Sequence, residues 1–156
     1  ELVNEDSPVA PANQNSEILA ETERVLLAAS SPNLKVCILR LGGIYGPERE
    51  LVKFFGSWAG STRPGRGEDA TNWVHLDDIV GGLTFGLENG LQGVYNLVGD
   101  VSLSIGELLD RVCEANNLPK VSWDGSPSVR PYNARVSNLK IQAAGYQFVH
   151  PEMREF

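Results

Sequence analysis

Apolar positions recur along the chain at two spacings, and the switches between them mark out its elements. From Ser16 to about Ser30, Ile18, Leu19, Val25, Leu26 and Ala29 form one stripe, with Glu17, Glu21 and Glu23 near its start. Acids there suit the positive end of a helix, and Ser31-Pro32-Asn33 ends it. Residues 34–41 (LKVCILRL) form a mostly apolar run, which predicts a strand covered on both faces as in a parallel sheet. Gly42-Gly43 breaks the pattern at the strand's carboxyl end, where open α/β sheets bind ligands. Residues 48–59 predict an amphipathic helix with Leu51, Phe54, Phe55 and Trp58 inward. Residues 60–71, rich in Gly, Arg and Asp, read as a mobile loop.

Residues 72–75 suggest a brief strand, and Asp77 is the expected N-cap of a helix running to Leu87 and closed by Asn89-Gly90. Ile79, Leu83 and Leu87 recur along that helix, while Gly82 and Gly86 on one flank permit close approach to a sheet. Residues 93–98 (GVYNLV) predict a second buried strand. Ser104-x-x-Glu107 is a capping box ahead of a stripe through Ile105, Leu108, Leu109, Val112 and Cys113, which Pro119 stops. A short strand over 121–123, a Pro/Gly-rich loop and a helix over 137–144 complete the chain after a polar, Pro-punctuated loop over 1–14. This order predicts an α/β fold in which 34–41 and 93–98 pair in parallel through a right-handed crossover, with the long insertion between them carrying further elements.

Composition narrows the function classes. A chain of 156 residues, 42% hydrophobic and 21% charged, has the balance of one globular domain. Its net charge of −7 disfavours nucleic acid and anionic membrane as partners. No apolar run approaches the roughly 18 residues of a membrane span, and no secretory leader is visible, so a cytoplasmic location is expected. Cys37 and Cys113 sit in apolar segments and read as two buried thiols rather than a disulfide. The chain opens Glu1-Leu2-Val3-Asn4, which suggests an entry in mid-protein.

Four stretches, in order, carry a family resemblance. Leu39-Arg40-Leu41-Gly42-Gly43-Ile44-Tyr45-Gly46-Pro47 is similar to "LR-x-x-x-x-YGP", and Trp73-Val74-His75-Leu76-Asp77-Asp78-Ile79 to "F-V-H-V-D-D-hydrophobic". Gly93-Val94-Tyr95-Asn96-Leu97 is similar to "G-x-Y-N-hydrophobic", and Glu5-Asp6-Ser7-Pro8 to "E-D-x-P". Together they resemble the C-terminal half of the extended short-chain dehydrogenase/reductases, the NAD-dependent epimerase/dehydratase group, in an atypical form that Arg135 through Tyr146 also resembles.

The resemblance implies the C-terminal part of a Rossmann-like parallel sheet plus a small α/β substrate-binding subdomain. Residues 1–47 would end the dinucleotide-binding domain, 48–92 form a substrate-side insertion, 93–100 the last sheet strand, and 101–156 the C-terminal substrate-binding subdomain. Leu41, Gly42 and Gly43 would face the nicotinamide of NAD or NADP in the whole protein. Tyr45, Asn72, His75 and Arg130 would border a small-molecule substrate, a nucleotide sugar in typical members.

The chain departs from that pattern in its chemistry. Typical members use a Tyr general acid/base with a Lys one helical turn later, which lowers the phenol's pKa. Those positions fall at about Asn13 and Glu17, and Tyr45, Tyr95, Tyr132 and Tyr146 are followed four residues on by Arg49, Gly99, Val136 and His150. The Tyr-x-x-x-Lys pair is absent from the chain. Typical members often carry Asn at the position of Gly43 and an Arg near Thr71, and the loss of the latter puts a nucleotide-sugar substrate in question. Gly65-Arg66-Gly67-Glu68-Asp69-Ala70 matches G-x-G-x-x-A, but it neither follows a strand nor opens a helix as the dinucleotide fingerprint must. The chain alone is therefore expected to hold no dinucleotide.

Other residues have two readings. His75 with Asp77 and Asp78 reads either as a metal cluster or relay, or as a buried His beside a helix cap. Arg40 pairs with a phosphate or with an internal carboxylate, and Arg63, Arg66 and Arg130 reach phosphates or face solvent. An atypical substrate-binding portion of an epimerase/dehydratase-like protein is the first functional expectation. A non-catalytic NAD(P)-sensing or scaffold protein is the alternative, and a standalone interaction domain a third. The two-sided apolar strand 34–41 also predicts self-association through an exposed sheet edge.

Overall fold

Parallel pairing organises the chain, as the two apolar runs predicted. The computed structural model describes residues 1–130 and 133–156; Pro131 and Tyr132, within the Arg130-Pro131-Tyr132-Asn133 stretch, lie outside them. Strand β1 (Leu2–Val3) leads to helix α1 (Gln14–Ala28), then to β2 (Cys37–Leu41) and β3 (Gly43–Tyr45). Helix α2 (Leu51–Phe55) continues as a 3-10 turn over Gly56–Trp58, followed by β4 (Thr62–Arg63), β5 (Trp73–His75), α3 (Leu76–Glu88) and β6 (Gly93–Leu97). Helix α4 (Ile105–Ala115), β7 (Ser122–Trp123), β8 (Arg135–Val136) and α5 (Leu139–Ala143) complete the order. Among the described residues the strands pair two by two, all parallel: β2 with β6, β3 with β5, β1 with β8 and β4 with β7.

The β2–β6 pair runs from Cys37 opposite Gly93 to Leu41 opposite Leu97. The outward-facing groups of β6 are covered by side chains. Lys140 Nζ donates to the Val94 carbonyl at 2.7 Å, the Asn96 N–H donates to Glu5 Oε1 at 2.7 Å, and Asn138 Nδ2 donates to the Val98 carbonyl at 2.8 Å. Beyond β2 no strand follows among the described residues. Arg40 on β2 pairs with Glu23 of α1, the internal-carboxylate alternative.

Two cores form. Leu108, Leu109, Val112 and Cys113 of α4 are buried with Tyr45, Leu51 and Met153, and each aliphatic side chain so buried contributes about 1.5–3 kcal/mol. The capping box starts this helix as the sequence predicted: Ser104 Oγ accepts from the Glu107 N–H, and Glu107 Oε2 accepts from the Ser104 N–H. The second core joins Val74, Leu97, Ile141 and Tyr146. Cys37 and Cys113 are free thiols, and no helix is long and apolar enough to cross a membrane.

Several local expectations change. The helix expected over 48–59 is split into α2 and a 3-10 turn, and Phe54 is exposed under the Arg49 guanidinium, 5.2 Å from its ring. Residues 60–71 are tied down by β4–β7 pairing and by the Gly65 N–H, which donates to Asp124 Oδ1. On α3 the inward face is Asp78, Gly82 and Gly86, whereas Leu83 and Leu87 are 59% and 85% exposed. A Cβ at Gly82 would stand 2.9 Å from Leu97 Cδ2, so the helix meets the sheet on its glycine flank and turns the leucines out.

Candidate functional site

The carboxyl end of β2 is a crowded crossing of backbone. The Gly43 N–H donates to the Asn72 carbonyl at 2.8 Å, and a Cβ at Gly42 would lie 2.6 Å from that same oxygen. At Gly43 a Cβ would meet Trp73 Cε3 at 2.6 Å, so the indole occupies the space of a side chain there. Both glycines are required by close approach rather than by unusual backbone angles. Leu41 and Gly42 also border two cavities, one of about 580 Å³ and one of about 420 Å³. The smaller is lined by Ser16, Leu19, Ala20 and Glu23 of α1, together with residues of the β1 loop.

The larger cavity has an aromatic wall. Phe55 stands edge-on to Trp58 at 5.5 Å and to Trp73 at 5.9 Å between ring centres, and Trp123 lines the same space. The Arg63 guanidinium stacks 3.9 Å from the centre of the Trp58 ring. Most polar groups in the lining are already bonded within the chain. Thr71 Oγ1 donates to the Leu103 carbonyl, and Ser128 Oγ donates to Asp69 Oδ2. Asn72 donates to the Ala134 carbonyl and accepts from the Val136 N–H, each at 2.9 Å. Arg130 donates to the Ala70 carbonyl at 3.0 Å. Trp73 Nε1 is buried and has no hydrogen-bond partner among the described residues.

Of the residues singled out from sequence, Leu41, Gly42, Gly43, Asn72 and Arg130 meet around this cavity. Tyr45 and His75 lie outside its lining, buried in the protein. Burial, with Glu155 and Asp78 nearby, pushes the Tyr45 phenol up to about 12, opposite to what a general base needs. Asn13 caps α1 in a reciprocal pair with Ser16, and Glu17 lies in that helix's first turn.

His75, not Asp77, is the N-cap of α3: its Nδ1 accepts from the Asp77 N–H at 3.1 Å. A backbone donor fixes Nδ1 as an acceptor, so the proton of the neutral ring sits on Nε2. That nitrogen is 3.4 Å from Glu155 Oε2, and His150 stacks on the ring at 3.7 Å. His75, His150 and Glu155 bring their potential ligand atoms within 4.8 Å of one another. The cap nevertheless leaves His75 Nε2 a donor rather than a lone pair for a cation. Asp78 is fully buried and accepts from the Tyr146 hydroxyl at 2.8 Å, the Val149 N–H at 2.7 Å and the His150 N–H at 2.9 Å. It is a clasp for the C-terminal segment.

The sequence pattern places Trp58 inward but does not show that Trp73 and Trp123 share its cavity or that Asp78 is a clasp. Three Trp in 156 residues, each beside a short strand or turn, was the available signal. The literal glycine motif serves packing, because a Cβ at Gly67 would meet Trp123 Cε2 at 2.7 Å and residues 65–70 open no helix.

No family model matches the chain. A 96-residue stretch, 61% of the chain, is 38% identical to protein YeeZ of Escherichia coli strain K12 and covers 33% of it. Over 127 residues, 78% of the chain, it is 26% identical to the chloroplastic epimerase family protein SDR39U1 homolog of Arabidopsis thaliana, covering 35%. Among solved structures, a conserved protein of unknown function from Silicibacter pomeroyi DSS superposes with a TM-score of 0.79 at 25% identity, over 97% of this chain and 56% of that one. Human SDR39U1 (isoform 2) with NADPH gives 0.75 at 23% identity over 97% and 56%. UDP-glucose 4-epimerase of Thermus thermophilus with NAD gives 0.76 at 24% over 96% and 53%. The chain thus spans about a third of the curated relatives' length and about half of the solved chains. It shares the Rossmann-like architecture of the NAD-dependent epimerases and dehydratases, and its sequence is similar to that of an epimerase family protein.

Proposed function

We propose that this chain is the substrate-binding portion of an NAD(P)-linked, epimerase/dehydratase-like protein, with the 580 Å³ cavity as its substrate pocket. The carrying observation is the shared wall: Leu41 and Gly42 separate the two cavities at the carboxyl end of β2, where parallel α/β sheets bind ligands. Leu41 would give a flat ring bound on the α1 side an apolar edge, while Gly42 lets the β2 end pack closely on the Asn72 backbone behind it. Bound there, a nicotinamide would supply the hydride acceptor or donor. Residues 48–92 and 101–156 would supply the substrate side, Arg130 among them, while Asn72 holds the β8 segment in place. His75 and Tyr45 support this floor from behind as cap and core.

A second reading, NAD(P) sensing or scaffolding without turnover, is favoured by one observation. The chain has no Tyr-x-x-x-Lys pair, and its buried Tyr45 is shifted away from base strength. Titration of the whole protein with NADP and NAD tests the cofactor, and turnover of nucleotide sugars separates the readings. These 156 residues alone are expected to hold no dinucleotide, because the chain carries no phosphate-cradling glycine loop at a helix start. Saturable micromolar binding of NAD to them would overturn that.

A further inference from the structure

We propose that the 580 Å³ cavity takes a compound with a flat apolar ring and a single acid group, the ring lying along Trp58, Phe55 and Trp73 and the acid meeting Arg63. This rests on the cavity being the substrate pocket.

Polar atoms around the cavity are largely spoken for. A sugar ring brings several hydroxyls, and each one buried without a partner weakens binding by about tenfold. Around this cavity Thr71, Asn72, Ser128 and Asp69 already bond within the chain. The wall between them is aromatic, and offset or edge-on rings favour another ring. Of the two buried side-chain nitrogens without a hydrogen-bond partner among the described residues, Trp73 Nε1 and His75 Nε2, the first belongs to a residue lining this cavity, and a carbonyl or ring nitrogen on the ligand would satisfy it. Charge selects the substituent. The lining carries two arginines, Arg63 and Arg130, against one aspartate already engaged by Ser128. Arg63 makes no ion pair with an acid among the described residues, and its stacking on Trp58 holds the planar fork ready for a carboxylate or phosphate.

The test is calorimetric titration of the chain with 2-naphthoate, 2-naphthyl phosphate, 2-naphthylmethanol and UDP-glucose, with ring-current shifts of the naphthyl protons followed by NMR. One or both acids should bind saturably with upfield-shifted ring protons, and the tighter of the two identifies the acid group. The alcohol should bind at least tenfold more weakly. Arg63→Gln should weaken the acids about tenfold and leave the alcohol unchanged, and Arg63→Lys should restore part of the loss. An unchanged thermal midpoint of each Arg63 variant rules out a folding defect. Equal binding of acid and alcohol, or indifference to Arg63→Gln, would overturn the proposal. UDP-glucose binding tenfold tighter than either acid would overturn it too, while leaving the substrate-pocket reading intact. Binding of none of the four by the folded chain would remove both.

Discussion

Gly43 and Trp73 act as one feature at two positions. The indole lies where a side chain at residue 43 would project, so the glycine and the tryptophan require each other. Gly43→Ala should push Trp73 off its seat and destabilise the chain by about 1–3 kcal/mol, read from denaturant midpoints together with a shift in tryptophan emission. An unchanged emission and midpoint would contradict this packing. Tyr45 makes a second residue-scale prediction. Its folded-state pKa is raised from 10.0 to about 12, so the native state holds the phenolic proton more tightly than the unfolded chain does. The resulting stability is complete below pH 10 and is lost as pH rises towards about 12. Denaturant midpoints should fall across that window, and less steeply in Tyr45→Phe. Burial and the Asp78 carboxylate also raise Tyr146, which acts in the same direction.

At the scale of elements, Asp78 binds α3 to the end of the chain. Removing its carboxylate in Asp78→Ala leaves three donors from residues 146–150 without their acceptor, a loss of roughly 3 kcal/mol. Amide exchange at Val149 and His150 should rise by orders of magnitude while α4 stays protected. What the sequence revealed of the elements follows their length. Runs such as CILRL and GVYNL have enough apolar residues in a row to announce a parallel pair, and Ser104-x-x-Glu107 announced its helix. Strands β1, β4 and β8 have two residues each, too few for any period to register. The glycine flank of α3 meets the sheet as the sequence suggested, with Gly82 close against Leu97, and the Leu83 and Leu87 positions of the apolar repeat face outward. His75 escaped notice as a cap because an imidazole is a rare one.

The whole molecule brings together what separate motifs could only suggest. Leu41, Gly42, Gly43, Asn72 and Arg130 were singled out through the family resemblance, and the fold brings them around one cavity. Tyr45 and His75 share those motifs but not the cavity, because Tyr45 is buried in the α4 core and His75 is buried beneath the His150 ring. The sequence placed Phe55 and Trp58 inward, but the full aromatic wall was invisible from it because Trp73 and Trp123 come from two further, distant segments. On the same scale, β2 is a five-residue strand with no strand paired on its far side among the described residues. We infer that the chain on its own associates with a second copy there. Sedimentation at tens of micromolar should give species larger than a monomer, and a monodisperse monomer would argue against it.

The dressing of β6 gives this sheet a direction. Lys140, Glu5 and Asn138 close off its far margin as a hem closes a cloth, so growth from that side would first have to unpick three contacts. Any further strand, whether from the same polypeptide or another, is steered to join at β2, and the cavity wall at Leu41 and Gly42 would then sit in the interior of the enlarged sheet instead of at its rim.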